Sequence, residues 1–470
     1  MNRYKFLASN TFLFLISNFS SKFLVFLLMP IYTAVLTTEE FSAVDLMMQT
    51  ANLLIPFASL GISNSIIRFG LDSKYSKKTV FTTGVLTLAT GFLILLCCFP
   101  LLNKIPSVQR YIWFLYLYLL MSCSRTLVQQ FARAKAYTRL YAFDGIIATV
   151  NTLVLVYLFL LKFRLGAIGY IMAIIGADFL SVIFLSTIVS VWHYFDLKKL
   201  DKGVAKEMLK YCLPLIPASI FWWITNVSDR FFVAAMVSEA ANGIYAISYK
   251  IPSIVMLFST VFTEAWQISA VTESGEKHTG RFFATVFKAY QSVVFIAGAG
   301  LILLCRPLIA LLADEKFFAA WEFVPVLILA TIFSCFASFL SSIYMVEKRG
   351  GLNLVTMMAG AGANIVLNIL LIPKLHTQGA AIATLISYLL VFLLRAVNTK
   401  KFININISPL QLIVNVALMC GMSYVTVTQQ KHNVLISIAV TVVIVLINLP
   451  PLLGFLKQML KSILNKKRKA

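Results

Sequence analysis

The chain has 470 residues, of which 60% are hydrophobic and 12% charged, with a formal net charge of +22. Soluble domains carry about 25% charged and about 45–50% apolar residues, so this composition, with its mean hydropathy of +0.88, excludes a soluble fold and points to a bilayer. The excess of positive charge would suit nucleic acid, but where it falls along the chain argues for a membrane surface instead.

A hydrocarbon core of roughly 30 Å takes about 20 apolar residues per helical crossing. In chain order the sequence predicts fourteen spans, at 8–34, 43–67, 79–100, 109–131, 141–161, 167–190, 211–236, 244–270, 282–304, 322–345, 353–373, 379–398, 409–428 and 434–456. They run too long, and lack the alternation, for barrel strands. The expected fold is therefore all-α and integral to the membrane. The first run follows a short basic "RYK" and is too long for a signal-peptide core, so it reads as a retained helix.

The segments "RFGLDSKYSKK", "ARAKAYTR", "DLKKLDKGVAKEMLK", "EKRG" and "KKRKA" fall in alternate loops and the tail. The intervening loops hold only Lys104, Arg110, Lys162, Arg164, Arg306, Lys316, Lys374 and Lys431. Positive charge marks the cytoplasmic side, so both termini are expected there. The basic tail reads as an anchor near anionic lipid, not a nucleic-acid site. Cys97, Cys98, Cys123, Cys212, Cys305, Cys335 and Cys420 lie in apolar stretches without C-x-x-C spacing and read as small core residues. The four histidines are scattered, and no nucleotide loop, Ser–His–Asp set or metal cluster stands out. The small-residue run "MMAGAGANIVLN" follows no strand and reads as helix packing.

The second span carries Asp45, Gln49, Asn52, Ser59 and Ser63 on one face. Shifted by a constant interval, Gln49, Asn52, Ser59 and Ser63 become Lys250, Ser253, Thr260 and Glu264 of the eighth. These positions lie within about 80° of one another on a helix. "GYIMAIIGADFLSVIFL" likewise pairs with "GAAIATLISYLLVFLLR", "KAYTRL" with "KRGGLN", Asn151 with Asn364, and "KFLVF" with "RFFVA". A duplication follows: one six-helix bundle over 1–200, a second over 201–402, and two added helices with a basic tail over 403–470. Each half holds an even number of spans, so the repeat is parallel. Two such bundles suit alternating access around a central wet space.

Charged residues inside a bilayer usually face the bundle interior. The basic ones are Lys22, Arg125, Arg230, Lys250 and Lys288; acidic ones at membrane depth are Asp178, Asp229 and Glu264. Lys22 continues a polar face through Asn10, Ser17, Asn18 and Ser21, and Arg230 holds its place in the second half. A space richer in plus than minus suits an anionic headgroup, since Arg forks onto phosphate oxygens and Lys supplies a point charge. Lys22, Arg230 and Lys250, with Asn18, Gln49 and Asn52 on the same stripes, are the candidate substrate contacts. Arg125 and Lys288 join them less directly, because snorkelling toward a helix end also accounts for them. Asp178, Asp229 and Glu264 are candidates for carrying a coupling proton or sodium ion. Neighbours Asp229 and Arg230 point about 100° apart on a helix, so each is expected to have its own partner. Pro56, Pro214, Pro217 and Pro252 mark possible kinks.

The stretches "ASNTFLFLISNFSSKFLVFLLMPIYTAVLTTEEF", "ANGIYAISYKIPSIV" and "LHTQGAAIATLISYLL" resemble the polysaccharide-biosynthesis flippases, the O-antigen and capsule-unit translocases of the multidrug/oligosaccharidyl-lipid/polysaccharide exporter superfamily. The resemblance spans nearly the whole chain. It implies movement of an undecaprenyl-pyrophosphate-linked oligosaccharide from the cytoplasmic to the outer leaflet of the bacterial inner membrane. Lys22, Arg230 and Lys250 would then meet the pyrophosphate. Membrane lipid, a polysaccharide polymerase and glycosyltransferases are the implied partners, and no cofactor beyond a coupling ion is expected. The chain departs from the pattern at "EFSAV", and its first helix has one basic residue where lipid II flippases have an arginine cluster. Two other readings compete. A drug or cation antiporter would have an acid-rich cavity. A membrane polymerase or ligase would carry a large external loop, and here the connections around "DEKFFAAW" are short.

Lys22→Ala and Arg230→Ala are each expected to cut surface polysaccharide at normal protein level. Full polysaccharide in both variants removes the assignment, and loss of the protein itself favours a structural ion pair.

Overall fold

In hydrocarbon no water satisfies a backbone amide, so a spanning chain must close its hydrogen bonds within itself. The computed structural model describes residues 26, 28–272, 279–347, 349–403 and 408–468, and all the regular structure among them is helical. Nine helices among these residues are long and apolar enough to cross a bilayer, and two bent helix pairs raise the number to 11. Gly350–Thr399 breaks at His376 (φ 51°, ψ −139°) and so holds two predicted spans, 353–373 and 379–398. Ile112–Ala134 supplies the fourth, its second half made polar by Arg125, Gln129, Gln130 and Arg133. The first predicted span lies outside the described residues except for its last turns, which are helical. Lys22 and Asn18 are also outside them. Glu264 falls on the Lys250–Thr272 helix, and its side chain is outside the description.

The start of the second helix in each half is fixed by the same local chemistry. Thr37 and Glu40 form a reciprocal capping box: the Glu40 amide donates to Thr37 Oγ1 at 3.1 Å, and the Thr37 amide donates to Glu40 Oε2 at 3.1 Å. Ser238 accepts from the Ala241 amide at 3.0 Å to start Glu239–Ser248. Both helices then bend. Thr38–Ala58 meets Ile62–Gly70 at 52°, and Glu239–Ser248 meets Lys250–Thr263 at 40°. The prolines are not themselves the break points. The first bend falls after Pro56, at Leu60 (φ 48°) and Gly61 (φ 68°), a left-handed pair in which glycine supplies the unstrained member. The second falls at Tyr249, and Pro252 sits in the first turn of the next helix, where its missing amide costs nothing.

The described chain divides into two units: Met1–Trp223 with 312–314, and Ile224–Leu311 with Glu315–Ala470. In the first, Ile62–Gly70 packs on Ile112–Ala134 and Lys77–Cys97, while Gly166–Val189 packs on Ile112–Ala134 and Thr138–Val156. The amphipathic connector Lys202–Cys212 belongs here. Asp201 caps it through the Gly203 amide at 2.7 Å. Ser65 donates to the Met208 carbonyl at 2.7 Å, and Tyr75 to Glu207 Oε2 at 2.7 Å. These bonds hold the connector to the first unit, and the division falls inside the helix Ile216–Met236.

In the second unit Val324–Val346 is the central helix, packed on Lys250–Thr272, Thr279–Leu303 and Gly350–Thr399. Trp266, Phe283, Phe287, Tyr290, Phe336 and Phe339 form its aromatic core, and the Trp266 indole donates to Ser342 Oγ at 2.8 Å. The added helices Pro409–Val427 and Asn433–Arg468 pack on Thr279–Leu303. Buried Asn415 and Asn448 join them: Asn448 Nδ2 donates to Asn415 Oδ1 at 2.7 Å, and Asn415 Nδ2 donates back at 3.3 Å.

At the His376 break the backbone turns tightly. A Cβ on Gly379 would lie 2.6 Å from the Leu371 carbonyl oxygen. Gly379→Ala is therefore expected to destabilise the protein by about 1–3 kcal/mol, the usual cost of overpacking. The thermal midpoint of the detergent-purified variant measures this, and an unchanged midpoint would refute it.

Candidate functional site

Each unit holds a cluster of buried charge on its membrane helices. In the first, Arg125 lies between two carboxylates. Its Nη1 donates to Asp178 Oδ1 at 2.7 Å, and its Nη2 to Asp144 Oδ2 at 3.1 Å. Gln129 Nε2 donates to the same Asp144 oxygen at 2.6 Å. Asp144 is fully buried, and its Oδ1 has no hydrogen-bond partner among the described residues. This corrects the snorkelling account of Arg125: the guanidinium is held by side chains of two neighbouring helices. It also joins two expected roles, since the substrate candidate Arg125 and the ion candidate Asp178 are bonded to each other. With both carboxylates ionised the group is one positive charge short, which a proton or small cation would supply.

Gln49 and Asn52 are held within their own helix. Gln49 Nε2 donates to Asp45 Oδ1 at 3.3 Å, and Asn52 Nδ2 to Gln49 Oε1 at 3.3 Å. Trp223 donates to the Gln49 carbonyl at 2.8 Å.

In the second unit Asp229 is fully buried. Three hydroxyls converge on its Oδ2: Tyr245 at 2.8 Å, Thr384 at 3.1 Å, and Tyr249 in a short bond. Beyond Thr384 lies an amide chain. Asn364 Nδ2 donates to Thr384 Oγ1 at 3.3 Å. Asn364 Oδ1 accepts from Ser228 Oγ at 2.9 Å and from Asn368 Nδ2 at 2.9 Å. Asn368 Oδ1 is buried with no hydrogen-bond partner among the described residues. Arg230, also buried, takes a different direction: its Cζ lies 4.6 Å from the centre of the Tyr249 ring. A cavity of about 80 Å³ adjoins the network, lined by Asn226, Tyr249, Ser253, Thr331, Thr384 and Tyr388, and the Tyr388 hydroxyl donates to Asn226 Oδ1. Lys250 follows Tyr249 at the helix bend. Among the described residues, no hydrogen bond or ion pair is found between half-buried Lys288 and either cluster.

A family model described as "Polysaccharide biosynthesis protein" matches residues 7–267. The chain belongs to the polysaccharide biosynthesis protein family. No protein of curated function matches the sequence. Among solved structures, this polysaccharide biosynthesis protein is similar to the lipid II flippase MurJ in an inward closed conformation (TM-score 0.69, 15% identity), over 97% of this chain and 100% of that one. It is similar to an inward-facing multidrug resistance MATE family transporter of the MOP superfamily (0.65, 14%), over 82% of this chain and 94% of that one. A MOP superfamily transporter from Pyrococcus furiosus, whose description reports reverse polarity of its binding pocket, matches at 0.59 and 15%, over 83% and 95%. The fold is that of a MOP-superfamily transporter in a multi-span membrane protein.

Several groups in this family member escaped the sequence reading. Asp144 lies near the start of its predicted span, where a charge reads as a loop residue. Tyr245 and Tyr249 read as packing aromatics, although their spacing of four places both hydroxyls on one helix face. Arg395, 3% exposed, bonds to Asn353 Oδ1 at 2.7 Å, the Ala337 carbonyl at 2.7 Å and Thr356 Oγ1 at 3.0 Å. No carboxylate partner is found for it among the described residues, and it ties Val324–Val346 to both limbs of Gly350–Thr399.

Arg125→Ala is expected to cost about 3–5 kcal/mol, because two buried carboxylates lose their cation. Adding Asp144→Asn and Asp178→Asn to Arg125→Ala should restore much of the yield of monodisperse protein. Wild-type stability in the single variant would show that the cluster is solvated.

Proposed function

We propose that this protein is a cation-coupled flippase. It moves undecaprenyl-pyrophosphate-linked oligosaccharide units from the cytoplasmic to the outer leaflet of a bacterial inner membrane by alternating access, for O-antigen, capsule or exopolysaccharide synthesis. On this reading both termini are cytoplasmic, and the glycosyltransferases and polymerase of the same polysaccharide are its working partners. The family supports the polysaccharide, and the likeness to a lipid II flippase, which extends over the two added helices, supports the transport.

The observation that carries the reading is Arg230. A guanidinium buried on an apolar helix is costly unless it has a use. Its guanidinium lies over the Tyr249 ring, while the neighbouring carboxylate takes three hydroxyls. Arg230 is thus suited to meeting phosphate oxygens. Lys250 at the bend, and Lys22 at the matching place in the first half, extend the same chemistry.

Asp229 is the proposed coupling group. Asp229, Asn364, Asn368 and Thr384 offer hard oxygen donors, and the unpartnered Asn368 Oδ1 fits a group that takes a small cation there. Such a cation, proton or sodium, would balance the buried carboxylate. The Arg125–Asp144–Asp178 cluster is a second carboxylate centre of the same kind.

Proteoliposomes carrying undecaprenyl-pyrophosphate-linked oligosaccharide on one leaflet are expected to expose the glycan to lectin on the other. Cationic dye efflux without lipid transfer would favour the antiporter instead. Asp229→Asn should reach normal membrane level yet lower transfer about tenfold and remove its response to a sodium or proton gradient. Separate gradients identify the ion, and full gradient-driven transfer by this variant would exclude Asp229.

A further inference from the structure

Asp229 and Arg230 are adjacent in sequence, and one side chain touches both. Tyr249 donates its hydroxyl to Asp229 Oδ2, while its ring face carries the Arg230 guanidinium, 4.6 Å from the ring centre. Its backbone stands at the break between Glu239–Ser248 and Lys250–Thr272, where the axis turns by 40°. Its ring meets Tyr245 edge-on at 5.3 Å and lines the 80 Å³ cavity beside Pro252 and Ser253.

We propose that Tyr249 is a positioning residue that couples cation uptake at Asp229 to the placement of Arg230, and so to the binding of a pyrophosphate headgroup. This rests on the flippase reading above. While Asp229 is ionised, three hydroxyls crowd one of its oxygens. A proton or sodium ion at the carboxylate competes with those donors and weakens the hold on the Tyr249 hydroxyl. The ring then turns about its own side-chain bonds, beside a cavity with room for it, and the platform under Arg230 moves. Tyr249 is at the end of a helix, so the same change acts on the bend that carries Lys250. The charged and titratable groups around Asp229 among the described residues are few: Arg230 on its own helix, Tyr245 and Tyr249 from the next, and Tyr388 from the Gly350–Thr399 limb that also brings Thr384. None of the other three links carboxylate and guanidinium as Tyr249 does. Linkage makes the effect reciprocal: if the cation alters headgroup affinity, the headgroup alters cation affinity by the same factor.

The test uses the purified full-length protein in nanodiscs and undecaprenyl pyrophosphate as probe, with affinity measured across sodium concentration and across pH. Wild type is expected to shift about tenfold with one of the two. Tyr249→Phe keeps the ring and removes the hydroxyl. Its affinity should lie between the wild-type extremes, with the cation dependence reduced to about twofold or less. Tyr249→Leu removes the platform as well and should bind weakly under every condition. Asp229→Asn should abolish the dependence alone, and adding Tyr249→Phe to it should change nothing further. Should Tyr249→Phe not fold, Tyr249→Trp on the wild-type background keeps an aromatic face without the hydroxyl and should show the same reduced cation dependence. Wild-type cation dependence in Tyr249→Phe overturns the proposal. Lipid binding without any cation dependence in wild type also overturns it, yet leaves the flippase reading standing. No binding of the lipid by wild type defeats both.

Discussion

A charge carried into hydrocarbon has no water to balance it, so it must be compensated by the protein or by something the protein binds. Much of this chain's polar structure follows from that constraint. Arg125 is answered by Asp144 and Asp178, Asp229 by three hydroxyls, and Arg395 by a carbonyl, an amide and a hydroxyl. The three solutions differ in kind. Hydroxyls and amides stabilise a charge without cancelling it. Asp229 and Arg395 take neutral partners of this kind, whereas Arg125 is met by groups of opposite charge.

The two halves solve the problem of entering the second helix alike, through Thr37 and Ser238, and both interrupt that helix with a bend. They differ in where the bend falls and what stands there. In the first half it is Leu60 and Gly61, with no ionisable side chain; in the second it is Tyr249, followed by Lys250. Among the described residues, ionisable side chains stand at the second of these bends and not at the first.

Much of the fold was legible in the sequence because a bilayer imposes a period that hydropathy reveals directly. Even the gap predicted between 373 and 379 coincides with the break at His376. Register within the helices was legible too, since polar residues on an apolar helix mark a face. The partners were not. Arg125 and Asp178 are 53 positions apart and Asp229 and Thr384 are 155 apart, and no local pattern encodes such contacts. Tyrosine is the hardest residue to read, because its ring satisfies an apolar pattern while its hydroxyl does polar work. The bends were only half legible: proline signalled that the helices change direction, but left-handed backbone and a helix end decide where.

The Asn415–Asn448 pair has a different temper from the rest. It is neutral, so neither acid nor salt has any purchase on it. Pulling the two amides apart within lipid would break both bonds between them, while each Nδ2 keeps the carbonyl four residues earlier on its own helix. The hairpin they fasten is thus joined, and packed on Thr279–Leu303, by contacts that a change of pH or salt leaves untouched.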